Sequence, residues 1–230
     1  MSANPVPPMS IDPVAKPRTK PAEERRDELM HSAERLFMEK GLEQTTIEEI
    51  TAGAGVAKGT FYLQFSSKAD VLLALRTRFV QGVLDGIVAA VAERQQTDWR
   101  GKLAAWSMAC ATGYLDAAGL HHLAFVAEPP ATREGLSRNI LIDHLSELLA
   151  AGAGGDGWSV DDPGFTAVFL FNALHGVVTQ PIGETPADRA ELLRKIEAHF
   201  LRTLGLASGI DCELSVPPFE HPHRTERDPS

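Results

Sequence analysis

Between Thr46 and Lys68 the chain sets out hydroxyl, ammonium, phenol and amide groups at Thr46, Lys58, Thr60, Tyr62, Gln64 and Lys68, with a glycine at Gly59. Their common chemistry is donation to oxygen, which suits phosphates and the edges of base pairs. Catalytic and metal signatures are missing from the chain. It has no H-E-x-x-H spacing, no Gly-rich phosphate loop and no nucleophile elbow. The expectation is a binding protein with no enzymatic activity, no cofactor and no dedicated metal site.

These donors need elements to aim them. Thr46 and Glu49 form an S/T-x-x-E capping box, which predicts a helix starting there. Ile47, Ile50 and Ala54 give it one apolar face, and Gly53 and Gly55 end it. Val56, Phe61 and Phe65 restart an apolar face, predicting a second helix of about two turns that ends near Ser66. Ser67 and Asp70 make a further box, and Val71, Leu72, Leu75 and Phe79 carry a helix onward through residue 94. Upstream, residues 23–40 read as a longer helix burying Leu29, Ala33, Leu36 and Phe37, with Gly41 beyond its end. Two short helices joined by a tight turn outline a helix-turn-helix, whose second helix enters a major groove N-terminus first. Its first turn is Lys58, Gly59 and Thr60. Lys58 can donate to guanine O6 and N7, and Gly59 permits close backbone approach.

The run Thr46-x-x-x-Ile50-x-x-x-Ala54-Gly55-Val56-x-x-Gly59-Thr60-x-Tyr62-x-x-Phe65-x-x-Lys68 resembles the N-terminal signature of the TetR family of transcriptional regulators, over residues 23–75. The resemblance implies an all-α homodimer. An N-terminal three-helix domain would read a double-stranded DNA operator, and a C-terminal helical bundle would bind a small-molecule effector and dimerise. It also implies that Thr60, Tyr62 and Lys68 grip phosphates, and that effector binding releases a repressed promoter. Two departures stand out. Ala57 occupies the place of the family's capping Ser, and Leu63 and Gln64 replace an aromatic residue and a His or Tyr.

Each donor has a plainer reading. Thr46 can be a cap alone, Tyr62 can pack under the helices, and Lys58 and Lys68 can be solvated charges. Net charge is −9, but residues 1–68 hold nine Lys and Arg against ten Asp and Glu, a balance of −1 that leaves −8 to the rest. The acidity therefore belongs to the larger domain. Lys16, Arg18, Lys20, Arg25 and Arg26 cluster at the mouth of the first helix, either as a DNA-contacting arm or as a solvated tail. Residues 1–21 read as a disordered Pro-rich arm, 22–68 as the DNA-binding domain, 69–206 as the effector and dimerisation domain, and 207–230 as a mobile tail. No apolar run is long enough to span a membrane and no signal peptide is evident, so a soluble cytoplasmic protein is expected. Cys110 and Cys212 stand alone and are expected to be reduced thiols.

In the larger domain, Trp99, Leu103, Trp106, Cys110, Gly113 and Ala117 recur at helical spacing. Helices are also expected over residues 120–127 and 133–151. The next, residues 165–180, is apolar all round after an Asp162 cap and Pro163. A face that one core cannot cover asks for a second subunit. The last helix starts at Thr185-Pro186 and turns Leu192, Leu193, Ile196, Phe200 and Leu204 to one side. The dimer seam is assigned to Phe165, Val168, Phe171, Leu193, Ile196, Phe200 and Leu204. Candidate effector contacts are Trp106, Cys110, Tyr114, His121, Phe125, His144, Phe169, Asn172 and His175, with Asn172 and His175 as the polar interruptions of the apolar helix. They fit a medium-sized hydrophobic or aromatic ligand. The histidines leave a metal-sensing regulator open, and a helical adaptor that no longer binds DNA is a third reading.

Overall fold

The computed structural model describes residues 21–123, 139–154, 157–180 and 185–206. Local sequence signals set most of the helix boundaries. The first helix, α1 (Ala22–Lys40), ends where Gly41 adopts φ 85°, a left-handed value that favours glycine. The Thr46–Glu49 capping box forms reciprocally and starts α2 (Ile47–Gly53). Gly55, at φ 65°, makes the turn into α3 (Lys58–Gln64). The N-cap of α3 is Ala57, which has no side chain to bond the first-turn amides. Such a missing cap costs a helix about 1 kcal/mol.

Ser67 caps α4 (Lys68–Ala92) by accepting from the Asp70 amide. The reciprocal half differs from the expected box, because the Asp70 carboxylate takes the Ser66 amide instead of that of Ser67. Next come α5 (Trp99–Asp116) and a single turn, α6 (Ala118–His121). The helix expected over 120–127 thus starts two residues early and stays helical through residue 123, with a π turn at 122–123, and residues 124–138 lie outside the described set. Asn139 caps α7 (Ile140–Gly152), and Asp162 caps α8 (Pro163–Val178), with proline in its first turn. A second reciprocal box, Thr185 with Asp188, starts α9 (Pro186–Thr203). Among the described residues there is no β-strand, only an isolated bridge between Ala153 and Trp158.

Two apolar cores result. The smaller joins Leu29, Ala33, Leu36 and Phe37 of α1 to Ile50 of α2 and Phe61 of α3. Val71, Leu72 and Leu75 of α4 close it. The larger is built from Phe79, Val83 and Ile87 farther along α4 together with α5, α7, α8 and α9. One helix therefore runs through both cores. A second link is the α6 segment: Leu123 packs into the smaller core while the neighbouring His121 faces residues of the larger domain. Helices α1 and α2 approach closely. A Cβ on Gly53 would meet Ser32 Oγ at 2.2 Å, so only glycine fits there without displacing Ser32.

Candidate nucleic-acid interface

The α2–turn–α3 unit is anchored from one side only. Phe61 and Phe65 sink into the small core, with ring centroids 5.9 Å apart. Tyr62, at 54 % exposure, and Leu63, at 78 %, point away from it. Lys58 and Gly59 are exposed, while Thr60 and Gln64 are partly so. Apart from its chain neighbours and the local helix backbone, no atom lies within 4 Å of the position a Gly59 Cβ would take, so the start of α3 presents bare backbone outward. The plain reading of Tyr62 as a packed residue does not fit its exposure. The plain reading of Thr46 does hold in part, because its hydroxyl is engaged with Glu49 as a cap while staying at the surface.

Charges on this face are paired. The Lys58 ammonium donates to the Glu48 carboxylate of α2. That contact raises the lysine pKa and, through the same hydrogen bond first, lowers that of Glu48. Glu49 is held down to about 2, first by a hydrogen bond from Lys40 and then by the Thr46 amide and hydroxyl. Both carboxylates remain ionised beside α3. Lys58 must therefore exchange Glu48 for any phosphate or base it meets.

Two basic residues are used differently from expectation. Lys68 does not extend toward solvent. Its ammonium donates to the carbonyls of Leu42 and Thr45, each at 2.7 Å, and of Glu43 at 3.3 Å. Three donors meet three acceptors in the loop after α1, which leaves none for a phosphate. Arg26, expected in a basic arm, instead closes the far end of α3. It donates to the Gln64 carbonyl at 3.0 Å and stacks over Phe65, 4.2 Å from the ring centroid. Nothing local in the sequence marks either role, since the partners lie 23 to 38 residues away. Lys16, Arg18 and Lys20 lie outside the described residues. Lys68→Met is expected to destabilise the protein by roughly 1–3 kcal/mol in urea titration, the cost of orphaning these carbonyls. The salt dependence of DNA binding should not change. A drop of about one in its log–log slope would return Lys68 to the phosphates.

The residues assigned to an effector divide into three groups. Trp106 and Cys110 are fully buried in the larger core. The Trp106 indole stacks on Phe200 and donates to His144 Nδ1 at 3.1 Å. Tyr114, His121 and His175 form a second group, closed by Phe79 and Phe171. His121 and His175 meet Nε2 to Nε2 at 2.9 Å, one ring donating to the other. Burial lowers both pKa values, that of His121 to about 4 with help from the neighbouring His175 and His122. Burial likewise lowers His144 and raises the Cys110 thiol and the Tyr114 phenol. The third group is a correction. Phe169 is 58 % exposed, and Asn172 is exposed with its amide turned back onto the Val168 carbonyl of its own helix. Neither faces the interior. Phe125 lies outside the described residues. Among the described residues no three His, Cys, Asp or Glu side chains are gathered as metal ligands.

The seam residues also divide. Phe171, Ile196, Phe200 and Leu204 are buried in the protomer's own core, and Leu193 packs partly against it. The reason is that α9 lies on α5, so its apolar face is already covered. Phe165 and Val168 remain outward, together with Phe169 and Val177. Beside them, a groove of about 360 Å³ runs between α8 and α9, lined by Phe169, Ala173, Val177, Lys195, His199 and Thr203 among others.

Comparisons with known proteins agree with this architecture. Residues 29–75 match the family described as bacterial regulatory proteins, tetR family. The chain is similar to the HTH-type transcriptional activator FasR of Mycolicibacterium smegmatis, 36% identical over 37% of this chain and 38% of that protein. It is also similar to the HTH-type transcriptional repressor BepR of Brucella suis, 40% identical over 26% of this chain and 30% of that one. These matches thus span little more than a third of the curated relatives at most. A solved fatty acid degradation regulator, FadR from Bacillus halodurans, shares the fold at a TM-score of 0.61 and 23% identity, over 77% of this chain and 94% of that one. FadR from Bacillus subtilis, solved in complex with stearoyl-CoA, does so at 0.60 and 18%, over 79% and 98%.

Proposed function

Because the chain belongs by its N-terminal domain to the TetR family of bacterial regulatory proteins, we propose that it is a DNA-binding transcriptional regulator. It acts as a homodimer on a palindromic operator, represses there, and is released by a small molecule. The observation that carries the reading is the outward face of α3. Lys58, Gly59, Thr60, Tyr62 and Gln64 are all wholly or partly exposed on a helix whose other side is locked by Phe61 and Phe65. A two-fold dimer would set two such helices about 34–36 Å apart, facing successive major grooves.

The effector site belongs to the larger domain, around Trp106, Tyr114, His121 and His175. The ligand is hydrophobic or aromatic, and acyl-CoA thioesters are the first class to screen, given the fold shared with a regulator solved with stearoyl-CoA. The α6 segment offers the route of coupling, since it joins His121 to a neighbour buried in the DNA-binding core. A ligand acts through it only as far as it binds one arrangement more tightly than another.

The test is selection of duplexes from a random library by the purified full chain, followed by anisotropy titration. An inverted repeat should emerge. Lys58→Ala should lose roughly 10- to 100-fold of the preference for it over unrelated DNA. Glu48→Gln should tighten binding several-fold at low salt by freeing Lys58 and removing a repelling charge, an effect on the order of a single rim charge. Selection that returns no sequence would sink the reading.

A further inference from the structure

On a helix advancing 100° per residue, positions 59 and 63 lie one above the other. Phe61 stands opposite both and is fully buried. Gly59 and Leu63 therefore form the outermost ridge of α3. Lys58 and Tyr62 flank it on one side, Thr60 and Gln64 on the other. The polar donors thus sit on the shoulders of the helix, and the crest is apolar.

Leu63 is 78 % exposed, more than any other large apolar side chain among the described residues. It packs into neither core. The crest residue one turn before it is a glycine with open space around it, so nothing holds the backbone of α3 away from a surface that Leu63 touches. Lys58 on the adjoining shoulder supplies a positive charge suited to a polyanion.

In a major groove the apolar group available to such a crest is the C5-methyl of thymine. We propose that Leu63 is a specificity-determining residue that packs on a thymine methyl at one fixed position of each operator half-site. The proposal rests on the DNA-binding reading above and deepens it. Lys58 and its neighbours provide register and hydrogen bonding, while Leu63 distinguishes thymine by its methyl group.

The probe is the duplex returned by selection with the full chain. Each thymine is replaced singly by deoxyuridine, which removes the methyl and keeps every hydrogen-bonding group. Wild-type binding should weaken about 3- to 5-fold at one thymine per half-site, the worth of one buried methyl. Leu63→Ala should weaken binding to the thymine duplex by at least a similar factor, roughly, and should no longer distinguish thymine from deoxyuridine there. Leu63 lies outside both cores, so the variant should fold with an unchanged melting temperature. If no thymine shows the methyl effect, or if the effect survives in Leu63→Ala, the proposal is overturned while the DNA-binding reading stands. A changed sedimentation coefficient for Leu63→Ala without DNA would assign the residue to a protein contact and overturn it as well. Failure to select any duplex would remove both readings together.

Discussion

In the homodimer proposed above, Phe169→Asp should give a monomer at micromolar concentration and weaken binding to the proposed operator by roughly 100-fold or more, because two tethered readers become two independent ones. Its melting temperature should move little. The contrast lies within one helix. Phe169 is 58 % exposed and Phe165 is 69 % exposed, while Phe171, two residues on, is 5 % exposed inside the core. Phe165, Val168 and Phe169, within about 100° of one another around the helix, make a row of large apolar groups facing solvent on α8. Contiguous apolar surface of this kind is characteristic of interaction sites. A two-fold axis beside α8 would lay the row against itself and bring each Phe169 toward the groove between its partner's α8 and α9. Phe171→Asp serves as the control, since it should unfold the larger domain instead of splitting a dimer. Sedimentation equilibrium and anisotropy read the two outcomes apart. A Phe169→Asp protein that stays dimeric would take the seam away from this face of α8.

What the sequence made legible was local. The boxes at Thr46–Glu49 and Thr185–Asp188, the cap at Asp162 and the glycines after α1 and α2 act within three or four residues, and the helices begin and end beside them. The burial of Phe61 also follows from i, i+4 spacing with Phe65. Periodicity could not say which side of α8 faces inward, because an apolar helix has no polar face to mark the outside. Phe169 is therefore read as an effector contact and Phe171 as a seam residue, whereas the structure exposes the first and buries the second. On α9 the face was legible and its partner was not: Phe200 stacks on Trp106 of its own protomer. Side-chain direction was least accessible where the partner is distant. Lys68 turns to a loop 23 to 26 residues earlier, and His121 meets His175 across 54. Leu63 was visible only as a substitution, since its weight comes from exposure.

The His121–His175 contact leads to the second large effect. Stability should fall as pH drops from about 6.5 to about 4, and His121→Phe should flatten much of that fall. One ring must offer a lone pair to the other's Nε2–H, so protonating both breaks the bond and sets two cations side by side. His121 titrates near 4 in the folded protein, against 6.5 for a histidine free in water. Across that interval the unfolded chain binds more protons, so unfolding gains with each step down in pH. The contribution is fully present above about 6.5 and lost as pH falls through about 4. At full effect it is worth up to roughly 3 kcal/mol. Tyr114 of α5 packs on both rings, Phe79 of α4 on His121 and Phe171 of α8 on His175, while His122 adds a further repelling charge. His144 adds a smaller share, because its Nδ1 accepts from the Trp106 indole and cannot do so when protonated. Ordinary carboxylates titrate around the lower edge of this window, at about 4, which leaves the upper part of it to histidine. Urea unfolding followed by tryptophan fluorescence at half-unit steps of pH would measure the slope. Phenylalanine at position 121 keeps a ring in the aromatic cluster and removes the titrating group, so a slope identical to wild type would show that His121 titrates alike in the folded and unfolded states.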